Sequence, residues 1–473
     1  MGKGGELHNA SSPSTKPPSL PDSVSLALAS SSRHLTAIHG VVYDITDFLD
    51  EHPGGRQILS LASGRDATFM FDSYHIRTDL VRKVLAKLPV VAGVAPADLE
   101  GHAEWDTATK SAVDLALVKP PSQSELYQKL QKRVRDEILK PRQEKNPKLA
   151  SGRGGLAFDM ACVFVAWAAC TAAFVLHPTW YTGMAAGWAA AWVGTGIQHT
   201  ANHGGVGKGF INALLGFGDD IACGGSSLVW RYHHMVSHHV YCNDDVHDMD
   251  VFSTTPIFRL DTQQPKLWYH RFQWLYMWAA YSTLWASIQY SDWEAFFKRA
   301  VPGVRMHGLT YREQAVFLLG KAVHLALNAA LPIYLHGARA WLPAFAAYTL
   351  TGSLLLSWFF MVSHNLVPLK PQNFGGLSKR DWAAWQIATS ATWGGSWASF
   401  FTGGLNMQIE HHLFPGLAHN LYPQVSRIVK EECANYKIKY YGYSNLFGIT
   451  LDLVRCMSFL GTAPDAKPTS KVE

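Results

Sequence analysis

Cysteine is scarce in this chain: the 473 residues include only six, and no two of them form a Cys-x-x-Cys pair. Scattered cysteines are typical of reduced thiols in a membrane or cytosol-facing protein, which argues against a disulfide framework. The formal net charge of +5 carries no nucleic-acid signature. The first 33 residues are rich in serine and proline and lack an apolar core, so we expect no signal peptide.

Histidine, in contrast, is abundant, and many of the 22 histidines lie in three places beside long apolar runs. The three clusters read HTANH (His199, His203), HHMVSHH (His233, His234, His238, His239) and QIEHH (Gln408, His411, His412). On a helix, the i, i+4 spacing in the first two clusters puts both imidazoles on one face, which suits two ligands of one metal. Eight or more imidazoles exceed the four ligands of a zinc ion, so more than one metal is predicted. Imidazole binds iron, copper, zinc and nickel alike, which leaves the metal open.

A single His-x-x-x-His on a helix is weak evidence, because such pairs are more often surface or core histidines. Two His-His pairs at distant places, each with a partner three or four residues earlier, are harder to explain in that way. Histidine beside a membrane span is costly and is functional by default. We therefore interpret the three clusters as one metal site.

Four apolar stretches are long enough to cross a bilayer as helices, namely residues 156–176, 180–198, 315–336 and 341–362. Short connections join them into two hairpins, so His199 and His364 are expected at the exits of the second and fourth stretches. A fifth stretch, 272–290, would put the second and third clusters on opposite faces of the membrane if it crossed. Its Trp and Tyr content favours a position at the water–lipid interface instead. Basic residues before the first stretch favour a cytosolic N-terminus.

The pattern divides the chain into five segments. They are a disordered N-terminal tail (1–33), a small soluble domain (34–100), a linker helix region (101–154), a membrane domain (155–455) and a C-terminal tail (456–473). In the small domain the runs LTAI and VVYDI are predicted strands. Helices are predicted over 124–139, ending at Pro141, and from about 423 to 436.

The small domain carries two histidines in turn-rich settings, His52 in EHPGG and His75 in DSYH. Two imidazoles can clamp a haem iron from opposite faces and leave no open position, which favours electron transfer. HPGG after a strand reading VYD closely resembles the cytochrome b5 family over about residues 35–95, although the usual Trp of the first strand is missing. The resemblance implies a haem b with His52 and His75 as its axial ligands.

Together, the b5 domain and the HxxxH, HxxxHH and QxxHH motifs on a four-span core resemble the membrane fatty-acid desaturases over about residues 35–455. With Gln408 in place of the first histidine of the third motif, the chain is similar to the front-end acyl desaturases in particular. The resemblance implies an α+β cytochrome b5-like domain fused to an all-α membrane domain with four transmembrane helices. It also implies a cytosolic cap that holds two non-haem iron ions.

The resemblance implies the metal ligands by motif position. They are His199, His203, His234, His238, His239, His364, Gln408, His411 and His412. Whether Gln408 binds a metal directly, binds it through water or orients a neighbour stays open. Four further histidines match no ligand position: His233, expected just outside the metal ligands, and His247, His270 and His419.

The first motif departs from the family pattern, because Thr200 stands where an aspartate is common. Such an aspartate usually holds a ligand histidine in one tautomer. We expect Asp219, Asp220 or Asp245 to take this role.

The implied reaction explains why both domains are present. Oxidation of an unactivated methylene by O2 needs a metal cofactor, since no side chain can supply it. The haem would pass on electrons from NADH through NADH–cytochrome b5 reductase, and fusion raises the effective concentration of this donor. The expected substrate is a long-chain polyunsaturated acyl lipid or acyl-CoA, and the expected location is the endoplasmic reticulum membrane with both domains cytosolic. Among algal and protist enzymes the motifs favour Δ5 over Δ4, and both over Δ6.

Two alternatives stay open. A sphingolipid long-chain-base desaturase or a lipid hydroxylase shares the b5 and histidine-motif architecture. A membrane-anchored cytochrome b5 electron carrier with an inactive lipid-binding domain would contain haem without non-haem iron. The carbon position, chain length, lipid carrier and oligomeric state are left open by the sequence.

Overall fold

The computed structural model describes residues 33–76, 78–94, 99, 118–149 and 152–466. The predicted tail over 1–33 lies outside the described residues except for Arg33, and so does the stretch 101–117.

A small sheet organises the N-terminal domain. Its strands are β1 (Leu35–Ile38), β2 (Val41–Asp44) and β3 (Arg65–Asp66). β1 pairs antiparallel with β2 and parallel with β3. His39 and Gly40, between β1 and β2, have φ angles of 50° and 79°, and two positive φ angles make a hairpin turn whose twist matches that of the strands. The strands predicted from LTAI and VVYDI are confirmed.

Short helices complete this domain and lead into the linker. They are α1 (Arg56–Leu59), α2 (Thr68–Tyr74) and α3 (Thr78–Leu85), followed by α4 (Glu125–Arg133), a π-helical segment (Val134–Leu139) and α5 (Lys140–Lys145). His52 precedes α1 and His75 follows α2 directly. The predicted linker helix is confirmed, but helical backbone continues past Pro141 to Lys145, with the π-helical segment directly before α5.

The rest of the chain is predominantly helical. Its helices are α6 (Ala157–Leu176), α7 (Trp180–Val193), α8 (Thr200–Asn202), α9 (Gly209–Gly216), α10 (Gly218–Ala222), α11 (Ser227–Arg231), α12 (His239–Tyr241), α13 (Met249–Phe252), α14 (Gln273–Tyr281), α15 (Leu284–Lys298), α16 (Tyr311–Leu325), α17 (Leu331–His336), α18 (Ala338–Val362), α19 (Trp382–Ala388), α20 (Ser396–Thr402), α21 (Gln408–Leu413), α22 (Tyr422–Asn435) and α23 (Leu446–Thr462). Two short strand pairs join β4 (Ala300–Val301) to β5 (Val304–Arg305) and β6 (Thr392–Trp393) to β7 (Gly442–Tyr443). The helix predicted over 423–436 is confirmed as α22.

Three helices in the described part of the chain are long and apolar enough to cross a membrane, judged by length and composition: Ala157–Leu176, Tyr311–His336 and Ala338–Val362. The prediction of four such helices is therefore wrong for one stretch, 180–198. Its regular part, α7, has only 14 residues, fewer than the roughly 20 that a spanning helix needs. The chain then continues as a π-helical segment, Gly194–His199. The stretch predicted to be interfacial is divided between α14 and α15.

The long helices lie side by side in alternating directions, so their ends lie at the two opposite ends of the bundle. At the side that carries the histidines, the Gly154 amide donates to the Gly205 carbonyl at 2.9 Å, which joins the start of α6 to the chain after α8. At the other side, His336 Nε2 lies 3.1 Å from the Val175 carbonyl, so α6 and α17 end together. α6 and α16–α17 therefore run away from the histidines, whereas α7 and α18 return to them.

The N-terminal domain packs directly on the membrane domain through Arg65. This side chain is 1% exposed, and its Nη2 donates to the Arg305 carbonyl at 2.6 Å. Its guanidinium also lies 5.6 Å from the centre of the Tyr232 ring, where a cation–π contact is attractive. Leu61 and Tyr232, from the two domains, share one buried apolar cluster.

We predict that Arg65→Met weakens this docking by about 1.5–3 kcal/mol, the usual contribution of a hydrogen bond to a charged group. Methionine keeps the apolar stem but loses the bond to Arg305. The measurement is hydrogen–deuterium exchange at β3 and α11 in the full-length protein, which should accelerate. Arg56→Met is the control, since Arg56 pairs with the exposed Asp50 and such pairs contribute little. Equal exchange in both variants would contradict the prediction.

Candidate metal centre and haem site

Irregular helical turns present the first two histidine motifs. His199 ends the π-helical segment that follows α7, and His234 and His238 lie in another, Tyr232–His238. Single π-helical turns inside α-helices are frequent at functional sites. The third motif forms α21, and His364 lies just after α18.

The first group of side chains brings together His199, His203, His234 and His411. All four are buried, and one nitrogen of each lies within 4.8 Å of the others. His199 Nε2 and His234 Nε2 are 3.3 Å apart. Imidazoles from all three motifs thus converge on one point, as the sequence predicted for a shared site.

The second group consists of His238, Cys242, His364 and His412, within the same 4.8 Å limit and also buried. The Cys242 Sγ lies 3.4 Å from His364 Nδ1. Burial raises the pKa of this thiol well above 9.0. Three imidazoles and this thiol make up the second group.

His239 lies between the two groups. Its Nε2 is 3.1 Å from His234 Nε2, in the first group. Its ring stacks on that of His412, in the second, with centroids 4.3 Å apart and an interplanar angle of 15°. His239 is therefore within reach of both positions.

Whether the two groups fit metal ions can be judged from their buried atoms that lack a hydrogen-bond partner. The Nε2 atoms of His203, His364, His411 and His412 are buried and have no hydrogen-bond partner among the described residues, and the same holds for Gln408 Oε1. A buried polar atom without a partner is costly. Lone pairs that converge from separate elements fit metal ions, so the residues present match a centre with two ions.

The opposite ring nitrogens are held by hydrogen-bonding partners. Tyr422 Oη lies 3.0 Å from His411 Nδ1, and Gln386 Oε1 lies 2.8 Å from His412 Nδ1. Asp248 is 3.1 Å from His238 Nδ1, and Tyr74 Oη is 2.6 Å from His203 Nδ1. An Nδ1–H that donates to such a partner leaves Nε2 free for a metal.

The Nδ1 partners of the ligand histidines named above do not include Asp219 or Asp220, two of the three aspartates predicted for this role. Asp220 instead accepts from the Ser227 amide at 3.0 Å. Thr200, where an aspartate is common, lies 2.9 Å from His419 Nδ1.

The remaining histidines contact groups outside the two clusters. His233 Nε2 lies 2.6 Å from Asp250 Oδ1, and His247 Nδ1 lies 2.7 Å from Asp244 Oδ1. His270 Nε2 donates to the Pro256 carbonyl at 2.8 Å.

Cys242, Asp248 and Asp250 were missed by the sequence reasoning. Asp248 and Asp250 lie close to His238 as a third candidate group. Their Asp-x-Asp pattern follows HHMVSHH closely, and Cys242 follows His238 at the i, i+4 spacing already noted in the motifs. These two signals could have identified them.

The pKa values separate one histidine from the rest. Burial lowers the pKa of His203, His234, His411 and His412 well below 6.5, so these rings are neutral and offer a lone pair. Burial also lowers the pKa of His238, but the charges of Asp248 and Asp250 outweigh it and raise the value to about 9. A metal that binds His238 must therefore displace a proton.

In the N-terminal domain, His52 and His75 face each other with ring centroids 6.2 Å apart. His75 Nδ1 donates to the Phe71 carbonyl at 2.6 Å, which leaves its Nε2 free. Burial lowers the pKa of His52 to about 4 and also lowers that of His75, so both rings are neutral. Two opposed neutral imidazoles fit a haem iron between them.

Comparison with known proteins agrees with both sites. A model of the fatty acid desaturase family matches residues 152–444, and a model of the cytochrome b5-like haem/steroid binding domain matches residues 25–95. The chain is 42% identical over 442 residues to the chloroplastic acyl-lipid (7-3)-desaturase of Chlamydomonas reinhardtii, covering 91% of this chain and 81% of that protein. It is 33% identical over 431 residues to the acyl-lipid (8-3)-desaturase of Physcomitrium patens, covering 87% and 86%. It is 29% identical over 464 residues to Delta(5) fatty acid desaturase A of Dictyostelium discoideum, covering 91% of each.

These matches and the site geometry agree on the cofactors. Cytochrome b5-like domains bind haem, fatty acid desaturases use two non-haem irons, and the two histidine groups have the composition and spacing to hold metal ions. The three long apolar helices of the described residues and the desaturase family together indicate a membrane protein. The chain belongs to the fatty acid desaturase family, as a front-end acyl desaturase with a fused, haem-binding cytochrome b5 domain.

Proposed function

We propose that this enzyme inserts a cis double bond at Δ5 of a long-chain polyunsaturated acyl lipid, between an existing double bond and the carboxyl end. The convergence of unpartnered imidazole nitrogens from three motifs on two neighbouring points carries the proposal. When bound there, two irons supply the oxidant, made from O2, that removes hydrogen from a methylene. O2 and NADH–cytochrome b5 reductase are the proposed co-substrate and partner.

We assign the ligands by group. His199, His203, His234 and His411 hold one iron, while His238, His364 and His412 hold the other. His239 reaches either position. Gln408, whose Oε1 is buried and unpartnered among the described residues, completes the set. In the N-terminal domain, His52 and His75 hold the haem. The proposed domain boundaries are 34–100 for the haem domain and 155–455 for the desaturase domain, with α23 continuing past the latter.

The side chains around the irons position the ligands and exclude water. Tyr422 and Gln386 accept hydrogen bonds from ligand histidines and fix their tautomers. Asp248 holds His238 and, together with Asp250, accounts for its protonation before a metal binds. Burial of every ligand keeps the site dry, which strengthens each electrostatic interaction within it.

We further propose that the long helices lie across a membrane with the histidine clusters at one of its faces. The support is that α6 and α16–α17 run away from the histidines, whereas α7 and α18 return to them. The proposed membrane is the endoplasmic reticulum, with both domains cytosolic. The relative from Chlamydomonas reinhardtii is named chloroplastic, so imaging of a tagged full-length chain against markers of both membranes tests the location.

Product mapping tests the reaction. The full-length chain is expressed in yeast with a panel of polyunsaturated acids, and the new double bond is located by mass spectrometry. A Δ5 product supports the proposal, and a Δ4 or Δ6 product corrects the position. The names of the relatives carry both (7-3) and (8-3) labels, so this measurement decides the position. A hydroxylated product would contradict desaturation, and haem without about two further irons per chain would indicate an electron carrier.

We predict that Asp248→Asn lowers turnover about 10–100-fold, the usual cost of losing the partner of a metal-bound histidine. The amide cannot carry the charge that stabilises the His238 ring. Turnover and iron content are measured per haem. Asp452→Asn is the control, because Asp452 contacts Tyr443, away from the ligands. Full activity with normal iron content in Asp248→Asn would contradict the assigned role.

A further inference from the structure

We propose that Tyr74 of the haem domain joins the two redox sites: it positions His203 and provides the contact through which the electron passes from haem to iron. The proposal rests on the ligand roles assigned above to His75 and His203. Tyr74 is therefore a positioning residue, because it touches a ligand of each metal site and no reacting atom.

The contact is direct. Tyr74 is the last residue of α2 and is covalently followed by the haem ligand His75. Its Oη lies 2.6 Å from His203 Nδ1. The two rings are nearly parallel, with an interplanar angle of 15° and centroids 6.1 Å apart. The Tyr74 residue, linked to His75 by a peptide bond and to His203 by one hydrogen bond, thus connects a haem ligand with an iron ligand.

The direction of the hydrogen bond follows from the free nitrogen. His203 Nε2 is buried and unpartnered among the described residues, so it is the metal-binding atom. The proton is then on Nδ1, which donates to the Tyr74 oxygen. Tyr74 takes the place of the carboxylate that usually fixes such a tautomer, and this partner comes from the other domain.

The backbone on either side of Tyr74 is also held in place. The Tyr127 hydroxyl lies 3.2 Å from the Ser73 carbonyl and 3.1 Å from the Leu413 carbonyl, and Leu413 directly follows the third histidine motif. Gln131 Nε2 donates to the His75 carbonyl at 3.2 Å. Helix α4 therefore connects the segment around His75 to α21 by hydrogen bonds. The buried Arg65 stabilises the same contact between the two domains. The haem domain is a docked donor in this arrangement.

The step balances as a one-electron transfer. His52 and His75 would hold a haem whose iron gives up one electron and becomes ferric, and the group that contains His203 would hold the iron that takes up this electron and becomes ferrous. No bond is formed or broken, and Tyr74 keeps its phenolic proton. The reductant that restores the ferrous haem is NADH through the proposed reductase.

The test is Tyr74→Phe in the full-length protein in lipid nanodiscs, since phenylalanine keeps the ring and removes only the hydroxyl. Stopped-flow absorbance follows reoxidation of the ferrous haem after mixing with O2 and acyl substrate. We expect reoxidation about 10-fold slower or more, with an unchanged haem spectrum and two non-haem irons per chain. Tyr43→Phe, in β2 of the same domain, is the matched control and should reoxidise at the wild-type rate.

A second measurement separates coupling from ligand orientation. Chemically reduced enzyme, with both irons already ferrous, is mixed with O2 and substrate, and product from a single turnover is quantified. A slowing of haem reoxidation in Tyr74→Phe that exceeds any slowing of the single turnover supports the proposal, because ligand orientation accounts only for the second effect. Haem reoxidation at the wild-type rate, an equal slowing of the single turnover, or a loss of iron that accounts for the whole effect would each overturn it. If wild-type haem shows no substrate-dependent reoxidation, the proposed function itself fails, and the coupling with it.

Discussion

His411→Ala is expected to abolish turnover, by more than about 100-fold, while the haem spectrum stays unchanged. His411 lies at the centre of the first group, with its ring centroid 4.5 Å from that of His199, 4.7 Å from that of His203 and 4.6 Å from that of His239. Its Nε2 is unpartnered among the described residues. Loss of a ligand should exceed the 10–100-fold effect of losing an outer partner.

Iron content, turnover and the haem spectrum are measured on the same preparation. We expect the variant to hold less than two non-haem irons per chain and a full complement of haem, because the haem ligands lie in the other domain. His177→Ala is the matched control: His177 lies at the end of α6 far from the cluster and is exposed. Retained turnover in His411→Ala would remove His411 from the ligand set.

His52→Ala should produce the complementary phenotype. With one of the two opposed imidazoles removed, the haem domain is expected to lose its cofactor or its low-spin spectrum. NADH-driven turnover should then fall to background, because no donor reduces the irons. The metal ligands are untouched, so the iron content should stay near two per chain.

The measurements are Soret absorbance, iron analysis and product formation with two reductants. Product from a single turnover of chemically reduced His52→Ala enzyme should match that of the wild type, which shows that only electron delivery was lost. Glu51→Ala controls for damage to the domain, because Glu51 is exposed and directly precedes His52. A low-spin haem in His52→Ala would contradict the ligand assignment.

Much of the local structure could be predicted because short-range patterns encode it. The strands LTAI and VVYD, the linker helix and the helix after QIEHH all formed where their residue patterns indicated. The histidine spacings likewise predicted which imidazoles share a face. Such features depend on residues within one or two turns of each other, so a single sequence contains them.

The features that could not be predicted depend on contacts between distant segments. Apolar composition suggested a full span at 180–198, but composition does not report where the hydrogen-bonding pattern changes to a π-helix before His199. Three partners of ligand histidines were also not predicted. Asp219 and Asp220 are close in sequence to the first motif, whereas Tyr74, Gln386 and Tyr422 reach the cluster from other elements.

The three histidine motifs, the HPGG segment and the apolar runs carry the resemblance to a membrane desaturase with its own haem domain, whereas the donor atoms alone leave the metal open. Their division into two ligand groups with His239 between them is a property of the folded chain. The contact of Tyr74 with His203 is also a property of the folded chain, because no sequence pattern indicates which residue of the other domain a tyrosine beside His75 will contact. The residue types determine which chemistry is available. Packing determines the tautomers of the histidines, the distances between them and the proposed path of the electron.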